Sequence, residues 1–396
     1  MKKLSIFKKI IILFLILFIG IFSYFYSLYS NIRNNIYEAT PKENEIEVKI
    51  KGNMEQKTEH AEEEESNFQY QKGITNILFI GLDAREVNEN SRSDSMIIAT
   101  IDENNKKLKF TSIMRDTYVN IPGHGQQKIN TAFALGGAQL LLKTLESNLN
   151  IKIEKYMVVN FWGFQDIVDS LGGLDISIKD YEVDEINKYI GEVNEKKSPR
   201  IIKSGLQHLD GQQVLAYTRI RKVGDGSFER NRRQREVMML LSERILAMNF
   251  WNYPSMVSKI SNYIKTNIEP MTIINYGYTV SKIKPMTIEQ LQIPVSELCE
   301  GGNYKGSWVI IMDKKQNSNI LNNFIYNDKI IDKKDYDYNA FKNIISQYKN
   351  YDKKASNKSA KKIIKREDNM NKAPQRNNDK LQHNDEEHDD YDLSEE

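Results

Sequence analysis

The chain has 396 residues, with 56 Lys and Arg against 54 Asp and Glu, a formal charge of +2 and a mean hydropathy of −0.58. So even a balance argues against a protein built to coat nucleic acid, and the low hydropathy indicates that part of the chain builds no core. The single cysteine, Cys299, excludes an intrachain disulfide, a CxxC redox pair and a cysteine-rich zinc site.

Residues 10–29, IIILFLILFIGIFSYFYSLY, carry no charge and are long enough as a helix to cross a hydrocarbon core of about 30 Å. Lys2, Lys3, Lys8 and Lys9 precede this span, and only Arg33 follows closely. The positive-inside rule therefore makes residues 1–33 a cytoplasmic basic stub and a retained signal-anchor, with the rest of the chain outside the cell. The apolar run is longer than the core of a cleaved signal peptide, and no small-x-small cleavage site follows it. Residues 34–72 hold ten Glu against five Lys and read as a polar linker.

From residue 73 the pattern changes. NILFIGLD (76–83), SMIIATID (95–102) and KLKFTSIMRD (107–116) read as strands, and Thr131–Asn148 as a helix with Leu135, Leu140, Leu141, Leu142 and Leu145 at apolar positions. YMVVNF (156–161) is a further strand. Phe161, Phe164, Ile167, Val168 and Leu171 then fall at helical spacing, and Gly172-Gly173 forms a natural stop. LDISI (174–178) returns to strand. Strands alternating with helices predict an α/β layered domain with both sheet faces covered. Residues 180–203 are charged and read as a surface insertion, and 206–250 as two helical stretches around a Gly-rich turn. The domain is expected to end near 312. A C-terminal extension, 313–396, then runs into a tail with seven Lys or Arg in 353–366 and eight Asp or Glu in 385–396.

Arginine is used selectively. The chain has 42 Lys and 14 Arg, and nine of the arginines are Arg85, Arg92, Arg115, Arg219, Arg221, Arg230, Arg232, Arg233 and Arg235. Guanidinium is the side chain for gripping phosphate or carboxylate in two-point fashion. Ion pairing on a solvated helix face is the competing account, strongest for Arg232 and Arg235. Asp83 ends one strand and Asp94 precedes the next. Strand ends in an α/β sheet are where ligands bind, and two carboxylates there suit a hard divalent ion shared with substrate phosphates.

The segments GLDAR (81–85), RSDSMIIATID (92–102), SIMRDTYVNIPG (112–123), KINTAFALGG (128–137), VVNFWGFQDIVDSLGGLDI (158–176) and GLQHLDGQQVLAYTRIRK…FERNRRQREVM (205–238) resemble the LytR-CpsA-Psr family in this order. The resemblance implies an α/β/α sandwich with a central mixed sheet. It also implies a Mg²⁺-dependent (or Mn²⁺-dependent) phosphotransferase that moves an anionic glycopolymer from undecaprenyl pyrophosphate onto peptidoglycan. By resemblance, Asp83 and Asp94 match metal-binding aspartates. Arg92, Arg115, Arg219 and Arg221 match arginines on the pyrophosphate, as do Lys128, Arg230 and Gln234. Arg115 and Asp116 fall in a catalytic motif, and Arg85 lies in a motif position. Where the family commonly has Asp, this chain has Ser227, and Asp225 is the nearby substitute as base. The polyprenyl tail needs an apolar home, sought beneath the helix 161–171 and the stretch 133–145.

Two other readings use the same residues or none of them. A lipid-pyrophosphate hydrolase would need the same cluster. A non-catalytic envelope regulator would need no chemistry, but no helix-turn-helix pattern supports binding to nucleic acid. The five histidines are scattered and none is assigned a catalytic role.

Overall fold

In a computed structural model of the chain, the described residues are 23–24, 26–39, 71–84, 91–192, 194, 196–249, 252–283 and 287–350. Most of the expected membrane span, most of the linker, Arg85 and the charged tail lie outside them. Among the described residues no helix is long and apolar enough to cross a membrane.

The strands are β1 (Ile74–Leu82), β2 (Ser93–Asp102), β3 (Lys107–Ile113), β4 (Tyr118–Ile121), β5 (Gly125–Lys128), β6 (Lys155–Val159), β7 (Leu174–Ile178), β8 (Gly205–Leu209), β9 (Ile264–Thr266), β10 (Thr287–Ile293), β11 (Cys299–Tyr304) and β12 (Ser307–Met312). The longer helices are α1 (Thr131–Leu149), α2 (Phe161–Ser170), α3 (Asp180–Tyr189), α4 (Gly211–Arg219), α5 (Gly226–Ala247), α6 (Tyr253–Ile260), α7 (Pro270–Lys282) and α8 (Lys314–Tyr326). Six strands form one sheet in the order β10-β3-β2-β1-β6-β9. Its central strands run antiparallel, while β10 joins β3 and β6 joins β1 in parallel. The sheet is therefore mixed, as the resemblance implies.

Alternation along β1 and β2 divides the core in two. Leu78, Ile80, Leu82, Met96 and Ile98 face α1 and α8, and pack with Leu141, Leu145, Leu321 and Phe324. Ile77, Ile97, Ala99 and Ile101 face the other way, against Ile268, Ile283 and α7. The first face is tightly closed. The second is covered loosely: Phe79, Met238, Ile273 and Tyr276 are only partly buried on it. In the 133–145 stretch Phe133, Leu140, Leu141, Leu142 and Leu145 are buried in the first core, whereas Leu135 is exposed beside the break in α1 at Gly136-Gly137.

A third cluster joins α2 to α5 through the β7–β8 hairpin, with Val168, Ile176, Ile186, Val214, Tyr217 and Val237 buried together. Gly211 permits the α2–α4 approach, because a Cβ there would lie 2.4 Å from the Gln165 carbonyl oxygen. This cluster corrects the reading of 180–203 as a surface insertion. Residues 180–189 are helical, with Ile186 fully buried, and the acids that disguise the helix include Glu182, which is itself buried to meet Arg233.

The expected domain end at 312 is also corrected. The helix α8 packs into the first core, and its Phe324 and Ile325 carbonyls accept from Lys109 Nζ at 2.9 and 3.2 Å. Lys109 is fully buried and ion-paired with the equally buried Asp102 at 2.7 Å. The chain's first folded unit runs to Ser346, and of the unit from Gln347 onward the described residues 347–350 are helical.

Residues 26–36 form a helix that packs against the domain rather than standing off it. Ile32 and Ile36 are buried with Ile260 and Ile264. Arg33 donates twice to Glu269, at 2.9 Å each, and Tyr37 bridges to Thr266. The first residues assigned to a free linker are thus part of the fold.

Candidate active site

The strand ends carry the site. Asp83 follows β1, Arg92 and Asp94 sit at the start of β2, and Arg115 and Asp116 follow β3. With Lys128 at the end of β5 and Arg221 just past α4, they line one cavity of about 470 Å³. Asn130 and Trp308 complete its wall.

Asp116 organises the cations. It is buried, and its carboxylate contacts Lys128 Nζ at 2.9 Å, Arg221 Nη2 at 3.1 Å and Arg115 Nε at 3.7 Å. Arg115 also makes a short hydrogen bond to Asp94. Gln234, on α5, accepts from Ser95 Oγ at 3.2 Å beside Asp94. One buried carboxylate thus hydrogen-bonds Lys128 and Arg221 and lies near Arg115, and all three cations line the cavity.

Arg230 lies behind this set. It is buried, its Nε has no hydrogen-bond partner, and among the described residues no carboxylate forms a salt bridge with it. Burial, then the fields of Arg115 and Arg221, push its pKa down to about 10, so it remains charged at neutral pH. The fields of Asp94 and Asp116 offset this only in part, and a buried guanidinium without a salt bridge is stabilised by an incoming anion.

Asp83 shows the opposite imbalance. Desolvation and then the Asp94 carboxylate raise its pKa, against the fields of Arg219 and Arg115. Two neighbouring carboxylates that repel each other fit a hard divalent cation, which needs only one or two protein carboxylates when substrate phosphates supply further oxygens. Among the described residues no group of three or more His, Cys, Asp or Glu stands ready to hold a metal alone.

The sequence-predicted residues therefore divide. Asp83, Asp94, Arg92, Arg115, Asp116, Lys128 and Arg221 line one cavity; Arg230 and Gln234 adjoin it. Arg219 is turned aside: it pairs with Glu192 at 2.6 Å and lies over the rings of Phe161 and Tyr189. Asp225 is not brought to this cavity. It precedes α5, exposed, and lines a neighbouring one. Arg233 is structural, with Nε 2.7 Å from Glu182 and Nη1 3.1 Å from the Ile220 carbonyl. Two wall residues went unnoticed in the sequence. Asn130 lies inside the KIN segment, and its buried Oδ1 has no partner. Trp308 carries no local signal; β12 brings it in because Ile310 N donates to the Asp116 carbonyl at 2.9 Å.

A mixed sheet covered on both faces, with a cation-rich cavity beside two coupled carboxylates, defines an α/β protein suited to phosphate-bearing ligands. The chain belongs to the LytR-CpsA-Psr family: the LytR_cpsA_psr family model matches residues 42–325. It is 34% identical over 263 residues to the "Regulatory protein MsrR" of Staphylococcus aureus (strain COL), covering 65% of this chain and 76% of that protein. It is 37% identical over 224 residues to the "Polyisoprenyl-teichoic acid--peptidoglycan teichoic acid transferase TagV" of Bacillus subtilis (strain 168), covering 54% of this chain and 56% of that protein. Among solved structures, "TagT bound to LI-WTA" matches with a TM-score of 0.55 and 27% identity, over 69% of this chain and 99% of that one. TagT with bound octaprenyl pyrophosphate lipid matches with a TM-score of 0.51 and 25% identity, over 68% of this chain and 99% of that one.

Proposed function

We propose that the chain is a membrane-anchored phosphotransferase that moves an anionic glycopolymer from a polyprenyl pyrophosphate carrier to peptidoglycan. The observation that carries this is Arg230, a buried cation with no salt bridge among the described residues, set behind a cavity lined by Arg92, Arg115, Lys128 and Arg221. The related TagV is named for a transfer of this kind, and a solved TagT holds a polyprenyl pyrophosphate.

The reaction forms a bond between an acceptor hydroxyl oxygen and the phosphorus next to the glycan. It breaks the bond from that phosphorus to the bridging oxygen, and polyprenyl phosphate leaves with the electron pair. Phosphoryl transfer depends on positioning and on neutralising spreading negative charge, which preset guanidinium groups supply. Asp116 positions those groups. Asp83 and Asp94 would hold Mg²⁺ or Mn²⁺, which when bound supplies further charge neutralisation at the phosphates. The acceptor hydroxyl gives up its proton as the new bond forms, and Asp225, on the wall of the adjoining cavity, is the base that takes it. The polyprenyl tail lies on the loosely covered sheet face near Phe79 and Met238. The uncharged span 10–29 anchors the chain with its catalytic domain outside the cell, and the packing of residues 26–36 holds that domain close to the membrane.

The reading is tested by mass spectrometry of lipid extracted from the purified full chain. A polyprenyl phosphate or pyrophosphate is expected, and Arg115→Ala and Arg221→Ala should each lose it. No lipid in the wild type, together with unchanged transfer in both variants, would remove the reading.

A further inference from the structure

A second cavity, of about 540 Å³, opens beside the first turns of α5. Most charges on its walls are paired. Glu229 pairs with Lys179 at 2.7 Å and with Arg232 at 2.8 Å, Arg232 also meets Glu236 at 3.7 Å, and on the opposite wall Lys333 pairs with Glu297. Among its lining residues Arg235 and Asp225 take part in none of these pairs.

Three uncharged acceptors hold the Arg235 guanidinium. Ser112 Oγ takes a short bond from Nη1, Gln292 Oε1 lies 3.3 Å from Nη1, and Gln290 Oε1 lies 3.3 Å from Nε. Among the described residues no carboxylate forms a salt bridge with it. Burial and the neighbouring Arg232 push its pKa down to about 10, so the group stays cationic at neutral pH. A fixed cation with neutral neighbours interacts best with an incoming anion. Asp225 is exposed, and its side chain makes no cap hydrogen bond to α5. The turn before it depends on Gly224 at φ +66°, where a Cβ would lie 1.5 Å from Glu229 Oε2.

The two cavities share α5. Arg230 and Gln234, four residues apart, belong to one face; Arg232 and Arg235, three apart, belong to another. Gln234 reaches Ser95 on β2, and Arg235 reaches Ser112 on β3. The volume suits a small ligand segment, within the roughly 300–1,000 Å³ of ordinary ligand sites. Phe228 and Tyr181 give it ring surface, and Gln290 and Gln292 give it amides.

We propose that this second cavity binds an anionic glycan segment, with Arg235 gripping its anionic group and Asp225 accepting a sugar hydroxyl. The proposal rests on the transfer reading for its biological role. Because Asp225 on its wall is the group that meets the acceptor hydroxyl, the anion is a carboxylate of the peptidoglycan acceptor.

The test uses the full chain in bilayers. Binding of a soluble peptidoglycan fragment is measured for wild type and for Arg235→Gln, with native and with amidated carboxyl groups. A soluble teichoic-acid-type phosphate polymer forms a parallel arm. If the acceptor supplies the anion, wild type binds the native fragment about tenfold or more better than the amidated one, and Arg235→Gln abolishes that difference. Weakening of the phosphate polymer instead by Arg235→Gln, with no effect of amidation, would overturn the assignment to the acceptor. Asp225→Asn, at an exposed position, should weaken the affected ligand while leaving the melting temperature unchanged. Equal binding of both probes by wild type and Arg235→Gln overturns the proposal. This readout needs no turnover, so its failure is distinct from a failure to transfer glycan.

Discussion

Arg230 and Arg233 lie within one turn of the same helix and are both buried, yet their surroundings give them opposite duties. Arg233 meets the fully buried Glu182, so Arg233→Met strands a carboxylate in the core. That should cost about 3–5 kcal/mol in urea denaturation. Arg230→Met removes a buried charge that makes no salt bridge among the described residues. It should leave stability equal or higher, while transfer falls on the order of a hundredfold. Equal destabilisation by the two changes would contradict the distinction. The sequence shows a cluster of arginines but does not sort it, because the partner that decides Arg233 stands some fifty residues earlier among acids that look like solvated surface. Asp83 and Asp94 stood out because they flank strand ends, and Arg115 and Lys128 because they fall in the ordered motifs; all four line the cavity. Asp225 lines the adjoining cavity and Arg219 pairs with Glu192 over Phe161, because side-chain direction at a turn and ring stacking leave no trace in spacing.

At the scale of elements, α8 and α3 are the two helices whose weight the sequence understates. In α8 the apolar residues are interspersed with Asn and Ser, yet Leu321, Phe324 and Ile325 are almost fully buried and the helix end accepts hydrogen bonds from Lys109. Truncation after Met312 should therefore leave an unfolded or aggregated product, and Phe324→Ala should cost about 3–5 kcal/mol by thermal or urea unfolding. A folded, soluble 1–312 chain would refute this. The α3–α5 join has a pH signature. Burial alone would raise Glu229, but hydrogen bonds from Lys179, Tyr181 and Arg232 outweigh it and hold the carboxyl well below the usual range. The folded value is thus below the unfolded one, so the stabilisation is complete above the unfolded value of about 4.3 and declines as pH falls below it. Wild type should lose stability between about pH 5 and 3 more steeply than Glu229→Gln. Parallel slopes in urea titrations at those pH values would count against the assignment.

At the scale of the whole molecule, the net charge of +2 conceals a division of labour. A basic N-terminal flank, an acidic linker and a tail of two opposite blocks surround a domain whose cations converge on two cavities. The α/β class and the mixed sheet were readable from the strand patterns and the ordered motifs. The hairpin that delivers Trp308 and the packing of residues 26–36 were not, because each depends on contacts between segments far apart in the chain. The most direct measurement supplies the full chain, in a bilayer with Mg²⁺, with a polyprenyl-pyrophosphate-linked glycopolymer and peptidoglycan, and counts the products. The account predicts glycan attached to peptidoglycan through a phosphodiester, polyprenyl phosphate released in equal amount, and loss of both on chelation by EDTA. Free glycan phosphate with no attachment to peptidoglycan would contradict it.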